Sequence, residues 1–346
     1  MVKIDLKEAS LSAPKKIFMG SLALFALIGA VALIKKGALA KKEKASEEIA
    51  YEAAASVEPE SNEAFFQEEA ARNERVSELL TPVHDQVAEE EIDQVWRLFT
   101  TGRKKLPVVE TVRYKSRVPW LKGRPAWVTD YAAHYATSRH FIARSLNGKR
   151  DYDTQKVSPG DQFNILSPDK NLNFYLIVDL SRCKMWFYYH DLDAKERVLL
   201  KTYRVGLGRF DSDSYSGLLT PKGRFLLGDK VATYKPGKRD FFQGEENVEM
   251  IQVVGTRWIP FSEEISGEGD NPRGYGLHGA PWIYSEETDS YTESLETIGK
   301  YESDGCIRLS QEDIEEIYSI VITKPTIIEI VADYKEAELP GTEVER

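Results

Sequence analysis

Between Asn173 and Val331 the chain is a series of short β-branched and aromatic runs separated by glycine, proline and turn residues. This pattern restricts the segment to a mainly β fold. Phe174 to Asp179 and Lys184 to Tyr189 read as two strands joined by a hairpin turn, Leu180-Ser181-Arg182-Cys183. Arg197 to Val205 and Arg224 to Leu227 follow, and Glu249 to Val254 and Thr256 to Phe261 continue the series of strands. Ser310 and Asp313 have the three-residue spacing of a capped helix start, which predicts a helix through Ile322. Pro325 to Val331 reads as a final strand, and the polar tail from Ala332 is expected to fray.

The whole chain has 346 residues, enough for two domains with additional segments. Its 17 Tyr, 14 Phe and 6 Trp need a core, which excludes uniform disorder. With two cysteines, Cys183 and Cys306, and five scattered histidines, neither a disulfide framework nor a metal centre is expected, and no cofactor is called for. The net charge of −10 is partitioned: +4 over residues 1–40, −10 over 41–100, +8 over 101–165 and −12 over 166–346. Such alternation marks a chain assembled from distinct pieces. The +8 block is compatible with an anionic polymer, an anionic surface or a solvated face; nucleic acid is not the expected partner.

Ile17 to Ile34 is an 18-residue run without charge, flanked by Lys15-Lys16 and Lys35-Lys36. At about 1.5 Å per residue it nearly spans a hydrocarbon core of about 30 Å. It is expected to be a single-pass anchor; the alternative is a cleaved signal peptide, with Ala38-Leu39-Ala40 as the cleavage site. The expected organisation is a tail at 1–16, the anchor at 17–34 and an acidic, partly helical stalk at 35–104. An accessory unit follows at 105–170, then a catalytic domain at 171–333 and a polar tail at 334–346. In the stalk, Val83 to Phe99 places Val87, Ile92, Val95, Trp96 and Phe99 near one helical face. Leu106 to Pro125 looks like a connector. Trp127 to Leu166 reads as a short strand, two helices (Asp130 to Thr137 and Ser138 to Leu146) and a strand from Gln162 to Leu166. At Ser138 to Leu146 and Ser158 to Leu166 this α+β order resembles a LysM module, though Ala136-Thr137-Ser138 stands where the Gly-Asp-Thr/Ser opening usually lies. That resemblance implies binding to peptidoglycan glycan strands; the alternative is a plain capping subdomain.

Cys306 lies in Ser303-Asp304-Gly305-Cys306-Ile307-Arg308, just before the capped helix. Backbone N–H groups at such a junction can activate a thiol and solvate an oxyanion. A lone cysteine is more often a small buried hydrophobe. A nucleophilic thiol needs a base. His278, in Gly274-Tyr275-Gly276-Leu277-His278-Gly279-Ala280, is the histidine whose surroundings suit the mouth of a site, although a core histidine fits the same pattern.

His-Gly followed by Ser-x-Gly-Cys-x-Arg resembles the YkuD-type L,D-transpeptidase family. Val205-Gly206-Leu207-Gly208, Thr220-Pro221-Lys222-Gly223-Arg224-Phe225 and Arg257-Trp258-Ile259-Pro260-Phe261 fall in the family's order. The resemblance implies a β-sandwich catalytic domain acting on tetrapeptide stems of peptidoglycan through a Cys thioester. In that reading Cys306 is the nucleophile, His278 the general base, and Gly279 supplies the carbonyl that orients His278. Gly305 and Cys306 lend N–H groups to the oxyanion. Ser303, Asp304 and Arg308 belong to the loop, with Arg308 meeting a substrate carboxylate or bracing the loop. The resemblance also implies acylation by carbapenems. For the chemistry to reach its substrate, the catalytic domain must face the cell-wall (periplasmic) side of the inner membrane. The alternatives are a carboxypeptidase or amidase of the same fold and a catalytically silent wall-binding anchor.

Two departures stand out. Asp304 occupies the position where the family usually has His, and an anion there raises the Cys306 pKa unless Arg308 or another cation offsets it. The 24 residues between His278 and Ser303 exceed the usual spacing, so Pro281 to Glu302 is expected to be a lid or donor-shaping loop, or else a surface insertion. Cys183 is expected to be structural.

Overall fold

The computed structural model describes residues 91–147, 156–229, 231–242, 245–267 and 272–345. The architecture is mainly β. Its centre is one ten-stranded mixed sheet. In chain order its strands are β3 (Leu172–Asp179), β4 (Lys184–Asp191), β5 (Glu196–Arg204), β7 (Gly223–Leu227), β8 (Ala232–Thr233), β11 (Arg257–Gly267), β12 (Gly276–Gly279), β16 (Ile307–Leu309), β17 (Thr326–Val331) and β18 (Thr342–Glu343). Their spatial order is β16-β12-β11-β7-β17-β3-β4-β5-β18, with β8 paired to β11. Register shifts in β11 between Phe261 and Glu263 and between Glu264 and Ser266 bend the long strand, as bulges do. The short strands β6 (Leu207–Gly208) and β15 (Tyr301–Ser303) pair beside this sheet. β9 (Arg239–Phe242) with β10 (Glu245–Glu249), and β13 (Trp282–Ser285) with β14 (Ser290–Glu293), make two separate hairpins.

β3 is almost uniformly apolar because both of its faces are covered. Phe174, Leu176 and Val178 join the main core, whereas Tyr175 and Ile177 pack with Trp186, Tyr188 and Val331 on the other face. That second face is covered by the C-terminal segment through Tyr334, Ala337 and Leu339. The tail therefore does not fray as expected. Tyr188 and Tyr334 share a hydroxyl hydrogen bond of 2.8 Å, and Thr342 and Glu343 extend the sheet beside β5. An apolar sheet face left in water supplies the reason, since burying it favours an ordered strap.

The accessory unit is built from β1 (Val109–Arg113), α2 (Val128–His134), α3 (Arg139–Asn147) and β2 (Gln162–Leu166). β1 and β2 pair antiparallel, with Val109 opposite Leu166. The strand–helix–helix–strand order expected from the sequence is present, but the first strand lies in the stretch read as a connector, not at Trp127. Pro and basic residues around Val108, Val109 and Val112 hide its pattern.

Residues 91–104, assigned to the stalk, are part of the packed body. Only one helical turn forms, α1 (Trp96–Phe99). Val95 and Leu98 are fully buried, whereas Ile92 and Trp96 are exposed, so the expected single apolar helical face is not what organises this segment. Its backbone bonds instead to β5: Gln94 N–H donates to Leu200 O at 2.8 Å and Thr202 N–H to Ile92 O at 3.1 Å. The buried Asn164 fastens it from the other side, donating to Leu98 O at 2.9 Å and Thr100 O at 2.7 Å. Phe141 and Leu166 of the accessory unit and Val95 and Leu98 share one core with the large sheet, so packing runs unbroken across the expected boundary near residue 170.

Glu249 to Val254 also differs from expectation. Ile251–Val254 is a helical turn, α4, with Ile251 and Val254 buried. The expected helix at 310 is α5 (Gln311–Val321), and the Ser310 hydroxyl accepts from the Asp313 N–H at 3.2 Å as its cap. Among the described residues no helix is long and apolar enough to cross a membrane. The run 17–34, the Ala38-Leu39-Ala40 site and the stalk up to residue 90 lie outside them.

Candidate active site

β12 lies between β11 and β16, and its registers place the candidate residues on one face. His278 is opposite Trp258 in the antiparallel pair and opposite Arg308 in the parallel pair. Opposed residues share a face of a sheet, and so do residues two apart on a strand. Cys306, two residues before Arg308 and immediately before β16, is thereby brought to the end of the same face that holds His278. The two residues are 28 positions apart in sequence; the parallel pairing of β12 with β16 unites them.

His278 is buried, and its Nδ1 lies 2.7 Å from Gly279 O. A carbonyl accepts only, so Nδ1 carries the proton and Nε2 is the ring's acceptor. Burial, aided by the nearby Arg308 guanidinium, pushes the His278 pKa down to about 4, against the raising effect of the Gly279 carbonyl. The imidazole is thus neutral at neutral pH. The ring of Trp258 contacts it, with centroids 5.9 Å apart.

Cys306 is half-buried. Its Sγ donates to Gly274 O at 3.5 Å. Burial pushes the thiol up to about 11, opposed by the Gly276 N–H bonded to the sulfur and by Arg308; Asp304 adds the smallest upward push. The resting pair is therefore thiol and neutral imidazole, not thiolate and imidazolium.

The Cys306 loop is held by its neighbours. The fully buried Ser303 donates its hydroxyl to Cys306 O at 2.6 Å and accepts the Gly305 N–H at 3.2 Å. Gly305 has a φ of +109°, and a Cβ there would lie 2.5 Å from Tyr275 Cε1 and 2.6 Å from Leu219 O. Only glycine fits, by conformation and by space. Gly276 is similarly constrained, since a Cβ would lie 2.5 Å from Ile259 O.

Asp304 points its charge away from solitude: it forms an ion pair with Arg209, and both side chains are exposed, at 66% and 61%. Arg308, the cation the sequence offered, lowers the Cys306 pKa against Asp304, while the ion-pair partner of Asp304 is Arg209, which follows the Val205–Gly208 motif and was not singled out from the sequence. Arg308 is half-buried, and its Nε is buried without a hydrogen-bond partner. Burial holds its pKa below the usual guanidinium value. Gly276, Trp258 and Tyr275 are further site residues that spacing alone did not single out; glycine in the Gly274–Gly279 run was the available signal.

The segment 281–302 forms the β13–β14 hairpin followed by a short 3₁₀ turn at Leu295–Thr297. Its base is closed by Ser294 N–H donating to Pro281 O at 2.8 Å, and Glu293 accepts the first N–H of α5, from Gln311. Cys183 is buried in the β3–β4 turn at a φ of +50° and has a thiol pushed up to about 11 by burial. Among the described residues, no group of three or more His, Cys, Asp or Glu side chains is placed to hold a metal ion.

Residues 173–331 match the family model YkuD, the L,D-transpeptidase catalytic domain. A curated relative, "Putative L,D-transpeptidase YqjB" of Bacillus subtilis (strain 168), is 27% identical over 119 residues, covering 34% of this chain and 53% of the relative. The chain thus spans about half the length of that relative. Two solved structures are also similar. Bd1075 of Bdellovibrio bacteriovorus shares 15% identity over 46% of this chain and 48% of its own, with a TM-score of 0.29. The helical cell shape determining protein Pgp2 of Campylobacter jejuni shares 16% identity over 50% of this chain and 51% of its own, with a TM-score of 0.29.

Proposed function

We propose that the domain carrying the YkuD match is a cysteine L,D-transpeptidase that modifies peptidoglycan stem peptides. The observation that carries this reading is the placement of His278 and Cys306 on one face by the β12–β16 pairing, within the segment that matches the L,D-transpeptidase catalytic domain.

With both groups neutral at rest, the base acts during attack. Cys306 Sγ bonds to the carbonyl carbon of the diaminopimelate L-centre as its proton passes to His278 Nε2. Gly279 O, holding Nδ1–H, stabilises the imidazolium that forms, in the place a carboxylate takes in other triads. Because the Gly305 N–H is given to Ser303, the Cys306 N–H is the loop's donor to the oxyanion. The carbon–nitrogen bond then breaks, His278 returns the proton to the departing D-Ala amine, and a thioester remains. An acceptor amine gives a 3–3 crosslink or an exchanged terminal residue; water gives hydrolysis. The unpartnered Arg308 Nε on the site face supports a role in binding a substrate carboxylate.

The proposal extends to location. The run 17–34 anchors the chain in the inner membrane, with the catalytic domain on the cell-wall side. The 105–170 unit, with Trp127 64% exposed beside Arg124, contacts glycan strands. A donor tetrapeptide incubated with and without an acceptor amine tests the reaction. Crosslinked product supports transpeptidation, release of D-Ala alone establishes the hydrolytic alternative, and neither product rejects both. The intact mass after carbapenem treatment is expected to rise by one acyl adduct, lost in Cys306→Ala.

A further inference from the structure

Arg209 and Asp304 stand at the rim of the nucleophile's loop, and hydrogen bonds hold the backbone at Arg209 and on both sides of Asp304. Arg209 N–H donates to Ser303 O at 2.9 Å, and Arg209 O accepts from Leu219 N–H at 2.9 Å. The residue before it, Gly208, donates its N–H to the buried Thr220 hydroxyl at 2.7 Å. Asp304 lies between the braced Ser303 and Gly305, where a side chain would collide with Tyr275 and Leu219 O. An anion two residues before Cys306 and a cation whose backbone is bonded to Ser303 are therefore held beside the Cys306 loop, yet their side chains are exposed. An exposed ion pair adds little to fold stability, so this one can open and exchange partners at small cost.

We propose that Arg209 and Asp304 form a subsite for a zwitterionic amino-acid group on the substrate's side chain, with Arg209 taking its carboxylate and Asp304 its ammonium. The inference rests on the stem-peptide reading and deepens it, by naming the residues that select the diamino acid. The physical argument is charge balance. A bound zwitterion replaces one ion pair with two, and no charge is left over. A side chain with an ammonium alone, or with its carboxylate amidated, leaves Arg209 competing for Asp304 and unmatched by substrate. Arginine's planar fork suits a carboxylate, which makes this half of the subsite the more discriminating.

The test uses the full chain and three tetrapeptide stems: one with meso-diaminopimelate, one amidated at the D-centre carboxylate, and one with lysine. kcat/KM is measured for wild type, Arg209→Gln and Asp304→Asn, and binding of the same stems is measured by calorimetry on Cys306→Ala with and without Arg209→Gln. Wild type is expected to prefer the meso-diaminopimelate stem by about tenfold or more, the value of a charge-assisted hydrogen bond. Arg209→Gln is expected to erase that preference, and Asp304→Asn to weaken use of all three stems, each of which carries the ammonium. Equal preference in wild type and Arg209→Gln overturns the subsite. If Cys306→Ala binds with the Arg209-dependent preference but wild type turns over no stem, the subsite stands and the reaction fails; if turnover occurs without the preference, the reverse holds.

Discussion

The Ser303 hydroxyl donates to the carbonyl of Cys306 at 2.6 Å while accepting the Gly305 N–H, so one buried side chain sets the shape of the loop that carries the thiol. Ser303 does not touch the sulfur; it positions the backbone on which the sulfur sits.

Ser303→Ala is expected to leave a carbonyl and an N–H without this partner, at a cost of about 1–3 kcal/mol in stability. Acylation should slow by at least about tenfold, because a loop displaced by a fraction of an ångström misplaces the nucleophile. Urea unfolding and the carbapenem acylation rate check the two effects separately.

Gly305→Ala is expected to be more damaging, by about 2 kcal/mol or more, since it combines a φ of +109° with a collision against a backbone carbonyl. Adding Tyr275→Ala should not rescue it, because Leu219 O lies 2.6 Å from the new Cβ whether or not the ring is present. Thermal unfolding of the single and double variants decides the point.

The pH dependence follows from the two shifted groups. His278 is a competent base once deprotonated, above about pH 4, and Cys306 keeps its proton up to about pH 11. The kcat/KM for acylation is therefore expected to be flat from about pH 5 to about pH 10, not bell-shaped around the ordinary values of about 6.5 and 8.5. Stability has the same limits with opposite slopes. Between pH 4 and the ordinary histidine value, the unfolded chain binds a proton that folded His278 refuses, so stability rises with pH there. Above the ordinary thiol value the unfolded cysteine ionises before the folded one, so stability falls as pH rises toward 11. A pH series of denaturation midpoints reads both slopes.

Cys306→Ala should abolish acylation at every pH. His278→Ala should slow it severely at neutral pH and recover in part at high pH, where hydroxide supplies thiolate without the base. Wild-type acylation by His278→Ala at neutral pH would identify a different base.

Glu316 on α5 is buried among Lys201 Nζ at 2.9 Å, Tyr203 Oη at 2.9 Å and Arg144 Nη1 at 3.6 Å. Arg144 belongs to the accessory unit, so this cluster joins that unit to the helix following the Cys306 strand. Burial raises the Glu316 pKa, and Lys201 and Arg144 oppose the rise. Glu316→Ala leaves the buried Arg144 without its carboxylate, while Lys201 keeps Asp313 and Asp93, and is expected to cost about 3 kcal/mol, measured by thermal unfolding.

Much of the β domain was legible because its signals are local. Strands near 174, 184, 197, 224 and 326 are short β-branched and aromatic runs with turns at their ends, and the Ser310 cap marks a helix start by spacing alone. The reading failed where neighbours decide. Glu249 to Val254 has strand composition, but Ile251 and Val254 are buried from one helical turn, Val254 against Tyr234 and Met250. The tail after Ala332 is polar in composition, but its few apolar residues meet the second face of β3 and β4. Residues 91–104 look like the end of a charged stalk because their anchors, Leu200 and Asn164, lie far along the chain.

By itself the sequence determined the mainly β class, the order of most strands, and the identities of a thiol and an imidazole worth pairing. Those follow from side-chain periodicity and motif spacing, which are properties of neighbouring residues. Only the tertiary structure decided that β12 and β16 lie side by side, that Arg209 answers the charge of Asp304, and that burial leaves both His278 and Cys306 uncharged. Strand pairing, ion pairing and desolvation each depend on groups distant in sequence, and their energies exist only once the chain has brought those groups together.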